Sequence, residues 1–119
     1  MNWIQYVIIA IILIYFIRTI MPAKGIQHID AATLKTQLKD RKKQFVDVRT
    51  PGEYNTRHIK EFRNIPLHEL GGKASELKKD EEIVVICQSG MRSQKAAKLL
   101  KKKGFEKVTN VRGGMSAWR

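Results

Sequence analysis

One cysteine, Cys87, stands in 119 residues, at the head of the stretch Cys87-Gln88-Ser89-Gly90-Met91-Arg92-Ser93. The residues before it, Ile83-Val84-Val85-Ile86, are apolar without alternation, the pattern of a central strand buried on both faces. Those after Arg92 keep helical spacing. A cysteine at that junction falls at the carboxyl end of a strand, where open α/β sheets place their sites. Gly90 permits a backbone conformation closed to other residues, and a tight loop running into a helix turns its N–H groups toward one point. Such a cradle holds anions. With the sulfur of Cys87 at its centre, the amides and the positive helix end stabilise the thiolate and lower its pKa below the free value of ~8.5. A nucleophile is prepared without a histidine base.

The elements that must position this loop follow from pattern. Residues 26–29 alternate as a short strand, and Asp30 is a natural N-cap for a helix that places Leu34 and Leu38 on one face. Residues 44–48 read as a strand, broken by Pro51-Gly52, which open a short helix. Residues 64–67 form another short strand, followed by a partly helical stretch to Lys79 that Gly71-Gly72 interrupts. After the strand ending at Cys87 comes a helix over 93–103, with Ala96, Ala97, Leu99 and Leu100 on its inner face and Gly104 as its cap. Residues 108–111 make the last strand, before Gly113-Gly114 and a closing turn. Short apolar strands alternating with helices predict an α/β domain, a small and mainly parallel β-sheet flanked by helices. About a hundred residues make one such domain with one core. A lone thiol excludes internal disulfides and metal sites built on paired cysteines. His28, His58 and His68 show no metal spacing, and His58 reads as satisfying a buried turn, so neither a metal nor a cofactor is expected.

The N-terminus differs in kind. Residues 6–17 are an unbroken apolar or aromatic run, and over 3–21 only Gln5, Arg18 and Thr19 interrupt it. At 1.5 Å per residue that stretch makes a rod of roughly 28 Å, close to the ~30 Å hydrocarbon core of a bilayer. Trp3, Tyr6 and Tyr15 lie toward its ends, Arg18 can snorkel, and Pro22 stops the helix. The sequence therefore predicts one N-terminal transmembrane helix as an anchor over residues 1–22, a linker over 23–25 and the domain over 26–119. Arg18 and Lys24 flank the C-terminal end and no cation flanks the other. The positive-inside rule then gives a single-pass protein of the cell membrane with its domain in the cytoplasm. An export signal is disfavoured, because no Ala-x-Ala site follows the run.

Several segments together resemble the rhodanese (thiosulfate sulfurtransferase) family. The Cys87 loop is similar to its Cys-x-x-Gly-x-Arg-Ser, and residues 46–54, Val-Asp-Val-Arg-Thr-Pro-Gly-Glu-Tyr, to its Val-Asp-Val-Arg-x-x-x-Glu-Tyr. His58-Ile59, Asn64-Ile65-Pro66 and the closing Gly113-Gly114-x-x-x-Trp118 match further pieces, so the resemblance covers residues 26–119. Two departures stand out: Arg57 takes the place of a glycine before the His-Ile pair, and Glu61-Phe62 replaces Gly-Ala after it. The resemblance implies a rhodanese-like fold and sulfur transfer through a Cys87 persulfide. A small anionic donor such as thiosulfate would supply the sulfur, and an external thiol or cyanide would accept it. It further implies that the loop Gln88, Ser89, Gly90, Met91 and Arg92 holds the anion, with the Ser89 hydroxyl as an extra donor. Asp47, Arg49 and Glu53 then serve as supporting ion pairs. Arg92 is expected on Glu53 or Asp47, and Arg49 on Glu53 in the alternative; the sequence does not choose. A phosphatase or arsenate reductase on the same fold would need five residues between cysteine and arginine, and here there are four. A catalytically idle binding module of this family would usually lack the cysteine.

The formal net charge is +12, and Arg18 is the only charged residue among the first 21, so nearly all of it belongs to the domain. The runs Arg41-Lys42-Lys43 and Lys101-Lys102-Lys103 read as solvated element ends, with contact to anionic lipid as the next expectation. Nucleic acid is not expected as a partner, because no aromatic residues interleave with the basic ones.

Overall fold

The computed structural model describes residues 2–20 and 25–119. In chain order its elements are α1 (Trp3–Ile20), β1 (Ile26–Ile29), α2 (Ala31–Gln37), β2 (Lys43–Asp47), α3 (Pro51–Thr56), β3 (Arg63–Asn64), α4 (Leu67–Lys73), β4 (Glu82–Ile86), α5 (Met91–Lys102) and β5 (Val108–Val111). Short 3-10 turns cover Ala74–Glu76 and Gly114–Ala117. The five strands form one sheet in the order β1-β5-β4-β2-β3, and every pairing is parallel.

That order explains where a site can form. The chain moves from β1 to β2 and β3 toward one edge, then returns through β4 to β5. Right-handed crossovers place the helices of the outward and returning legs on opposite faces. Leu34 of α2 packs with Ile59 and Phe62 on one face, and Leu70 of α4 with Ala96, Ala97 and Leu100 of α5 on the other. β2 and β4 are neighbours whose following connections leave in opposite directions. The carboxyl ends of that pair therefore open into the crevice where such sheets bind ligands.

Side-chain parity then aims the cysteine. Val84 and Ile86 face the α2 side, whereas Ile83, Val85 and Cys87 belong to the core under α4 and α5. Ile83 to Cys87 are all fully buried, as the unalternating run required. Cys87 thus leaves β4 on the side of the helix that follows it.

Several local expectations need correction. β3 is only two residues, although beyond it Ile65 N–H still donates to the Asp47 carbonyl at 3.0 Å and Leu67 N–H to that of Val48 at 3.1 Å. α4 runs through Gly71 and Gly72 without a break; neither has a positive φ, so both fit a helix. α5 begins at Met91, two residues before the expected start, and Leu99 is only partly buried. His58 is exposed, with its ring stacked on Tyr54 at 3.9 Å and Nδ1 2.8 Å from the Tyr54 carbonyl oxygen. It satisfies a surface turn.

The transmembrane expectation also changes. Among the described residues no helix is long and apolar enough to cross a membrane. α1 has 18 residues, about 27 Å at 1.5 Å per residue and so somewhat short of a ~30 Å core. Gln5 and Arg18 interrupt it, and Met21 and Pro22, which the expectation used as its end, lie outside the described residues. Within α1 every large apolar side chain from Trp3 to Ile17 is exposed.

Candidate active site

The turn after β4 wraps around one sulfur atom. Gly90 sits at φ +106°, a left-handed conformation that a side chain would strain, and this folds its N–H back to 2.9 Å from Cys87 Sγ. The Ser93 hydroxyl approaches the same atom at 3.3 Å. Burial on its own pushes the Cys87 thiol up, but hydrogen bonds from the Ser93 hydroxyl and the amides of Ser93, Gly90 and Ser89 outweigh it. The net effect holds the thiol below its ordinary value. A buried sulfur that ionises readily is a nucleophile protected from bulk water.

Ser93 closes the matched loop motif, but nothing in the sequence marked a role for it. The Ser89 side chain, expected as the extra donor, is exposed and makes no hydrogen bond among the described residues. One turn into α5, the Ser93 hydroxyl lies buried between Cys87 Sγ, the Gly90 carbonyl oxygen at 3.0 Å and a short contact to Asn110 Oδ1. Asn110, on β5 and fully buried, turns its Nδ2 to within 3.2 Å of His28 Nδ1 on β1. A hydroxyl has a single hydrogen to share among three acceptors, so the amide that faces it governs how much reaches the sulfur. The fixed place of Ser93 at the end of the Cys-x-x-Gly-x-Arg-Ser motif was the available signal, and with α5 starting at Met91 it is the third helical residue, on the face of the loop that starts the helix.

The supporting charges sort into two pairs. Arg92 meets Glu53 through two parallel bonds, Nη1 to Oε1 at 2.7 Å and Nη2 to Oε2 at 2.9 Å. The Arg92 guanidinium, with the amide and hydroxyl of Thr50, lowers the Glu53 carboxyl from 4.5 to about 2. Thr50 and Glu53 also form a capping box at the start of α3, which fixes the carboxylate before the arginine arrives. Arg49, nearly fully buried, pairs with Asp47: Nε lies 3.0 and 3.1 Å from its two oxygens and Nη2 is at 2.8 Å. Of the open alternatives Arg92 thus takes Glu53, and Arg49 pairs with Asp47 in place of the Glu53 that the alternative gave it. Neither arginine reaches into the cradle as a free cation. Gln88, next to the cysteine, is held from both sides, accepting from Arg49 Nη1 at 3.3 Å and donating to Ser116 Oγ at 3.2 Å. Met91 is 73% exposed, and it is the only exposed large apolar side chain outside α1 among the described residues.

The closing turn braces the loop from behind. Met115 N–H donates to the Cys87 carbonyl at 2.8 Å and Ser116 N–H to that of Gln88 at 2.9 Å. A Cβ on Gly114 would run into the Cys87 carbonyl oxygen, so only glycine lets the two backbones approach this closely. Among the described residues no group of His, Cys, Asp and Glu side chains is placed to hold a metal ion.

With fold, switch point and thiolate loop in place, the comparisons give the class. The Rhodanese-like domain family matches residues 30–119, and the chain belongs to that family. It is 41% identical over 97 residues to YrkF of Bacillus subtilis (strain 168), covering 81% of this chain and 52% of that protein. The chain thus spans about half the length of this relative. A protein named "Sulfurtransferase" from Allochromatium vinosum is 36% identical over 94 residues, covering 78% of this chain and 88% of its own length. The crystal structure of a rhodanese-like domain protein from Staphylococcus aureus superposes with a TM-score of 0.72 at 33% identity, covering 78% of this chain and 91% of that one. Relatives named sulfurtransferases place sulfur transfer at the level of the family.

Proposed function

We propose that the protein is a rhodanese-type sulfurtransferase in which Cys87 carries the sulfur. The observation that carries this reading is the buried Sγ with the Gly90 amide at 2.9 Å and the Ser93 hydroxyl at 3.3 Å. These donors are arranged for an anionic sulfur without a base. The Cys87 thiolate attacks the outer sulfur of a donor such as thiosulfate. A Cys–S bond forms, the donor's S–S bond breaks, and its electron pair leaves on sulfite. The persulfide anion left behind is held by the same amides. Cys87 is the only cysteine, so no second thiol can resolve the persulfide internally; an external thiol or cyanide takes the sulfur on. The four residues between Cys87 and Arg92 form a loop fitted to one sulfur atom, which favours this reading over phosphate-ester or arsenate chemistry. The presence of the cysteine favours it over an idle binding module.

The reading extends to α1 as a lipid tether, with the domain at the cytoplasmic face and its basic surface near anionic headgroups. What supports this is a helix apolar around its whole circumference with its large side chains exposed, and the cations Arg18 and Lys24 at one end only. The test of the chemistry is the intact mass of the chain after incubation with thiosulfate. The expected result is a gain of one sulfur atom that Cys87→Ser abolishes and that an added thiol discharges. No adduct together with hydrolysis of a phosphate ester would overturn it in favour of the phosphatase, and no adduct with no turnover in favour of the binding module.

A further inference from the structure

Ser93 and Asn110 are polar side chains in an otherwise apolar interior, where the buried pair Arg49 and Asp47 neutralises itself. They begin a polar path out of the core. Cys87 Sγ lies 3.3 Å from Ser93 Oγ, Ser93 Oγ makes the short contact to Asn110 Oδ1, and Asn110 Nδ2 lies 3.2 Å from Nδ1 of His28. His28 is exposed on the edge strand β1, opposite Asn110 in the ladder. Three contacts therefore join the reacting sulfur to a ring that meets solvent.

The hydrogens on this path can be counted. Asn110 Oδ1 can only accept, so the Ser93 hydrogen points at it and Ser93 turns a lone pair toward the sulfur. That suits a thiol, whose S–H finds an acceptor in Ser93 Oγ. It does not suit an anion. A thiolate or persulfide needs the Ser93 hydrogen for itself, and Asn110 Oδ1 would then be left buried without a donor, at a cost that cancels much of the gain. The Gly90 carbonyl at 3.0 Å has the same claim on that hydrogen in either case and does not decide between them. Turning the Asn110 amide end for end removes the conflict, because Nδ2 then donates to Ser93 Oγ while Oδ1 faces His28. That reversed state requires a hydrogen on His28 Nδ1, since two acceptors would otherwise meet. An imidazole can supply or withhold it, by tautomer or by charge.

We propose that Asn110 and His28 are positioning residues for the Cys87 sulfur: the Asn110 amide reverses when Cys87 passes from thiol to anion, and His28 Nδ1 supplies the hydrogen that holds the reversed state. The proposal rests on the sulfur-transfer reading only for the reaction it serves. Three charged groups stand around His28. Arg112, which follows β5, brings Nη2 to 3.5 Å from the His28 carbonyl oxygen; Asp30 begins α2 and faces Arg112; and Lys101 of α5 lies against Gly25, ahead of the strand. Among the described residues none of them pairs with the ring, so its Nδ1 answers to Asn110.

The test is iodoacetamide alkylation of the single thiol in the full chain, followed against pH. His28→Phe removes the Nδ1 hydrogen at an exposed position, and His28→Asn returns an amide N–H to a similar place. The expected result is that His28→Phe moves the rate–pH midpoint up and slows alkylation at pH 7 by about fivefold with the high-pH plateau unchanged, and that His28→Asn restores most of the loss. In Ser93→Ala the same change to His28 should have no further effect, because the path is already cut. A His28→Phe profile that overlies wild type overturns the proposal. So does a shift that persists in full in Ser93→Ala, since the ring would then act through its charge at a distance. If wild type takes no sulfur from thiosulfate while the shift and its dependence on Ser93 remain, the relay stands and the sulfur-transfer reading fails.

Discussion

At Cys87 two opposing effects meet, and their balance decides reactivity. Burial disfavours the charged sulfur, while the Ser93 hydroxyl and three amides favour it, and the net direction is downward. Ser93 is the removable part. Ser93→Ala should raise the apparent pKa of Cys87 alkylation and slow the rate at pH 7 by roughly tenfold, as loss of a hydrogen bond to an ion worth about 1.5 kcal/mol would do. A rate–pH profile that overlies wild type would show that the amides suffice. Glu53 gives a second test with a defined sign. Its folded pKa is depressed to about 2 from 4.5, so the unfolded state binds more protons between those values. The stabilisation is full above 4.5 and is lost as pH falls through 4.5 toward 2. Urea midpoints of wild type and Glu53→Gln should therefore differ at pH 7 and converge as pH drops through that window; a gap that stays constant down to pH 2 would mean the carboxylate's charge contributes nothing.

At the scale of elements, what each stretch does alone was legible and what it meets was not. The unalternating apolar run Ile83 to Ile86 announced a central strand, and Cys-x-x-Gly-x-Arg announced the loop, because burial on both faces and local sterics leave their mark within a few residues. The partners of that loop come from far along the chain. Asn110 touches Ser93 only because β5 pairs with β4, and His28 only because β1 pairs with β5 in register His28 to Asn110. No spacing in the sequence encodes such a pairing. The choice between Glu53 and Asp47 for Arg92 was open for a similar reason: Asp47 ends β2 inside the crevice and takes Arg49, whereas Glu53, held in the capping box of α3, takes Arg92. Gly114 shows how tightly the closing turn is fitted to this arrangement. Gly114→Ala must part the turn from the Cys87 carbonyl or move both, and should cost about 2–4 kcal/mol while slowing thiol alkylation, because the cradle shifts with its backbone. Thermal unfolding and alkylation measured on one sample check both halves; lost stability with unchanged alkylation would show that the turn yields and the cradle does not.

For the molecule as a whole, two surfaces are candidates for the proposed attachment to a lipid bilayer. One is α1, whose large apolar side chains from Trp3 to Ile17 are all exposed. At ~25 cal/mol per Å² of apolar surface removed from water, burying these side chains against lipid is favourable, and salt does not screen that gain. The other is the basic surface of the domain, which holds nearly all of the net +12. Its attraction to anionic lipid decays within a Debye length of about 8 Å at physiological ionic strength and less at higher salt. Salt therefore separates the two. The full chain should float with vesicles of neutral lipid as well as anionic lipid and should remain bound in 1 M salt. A chain lacking residues 2–20 should bind only anionic vesicles, if any, and should release as salt rises. The sheet, both core clusters and the Cys87 loop use only residues after Gly25, so the shortened chain should keep the alkylation kinetics of the full one. Salt-sensitive binding of the full chain would assign attachment to the basic surface, and altered thiol kinetics in the shortened chain would show that α1 belongs to the fold.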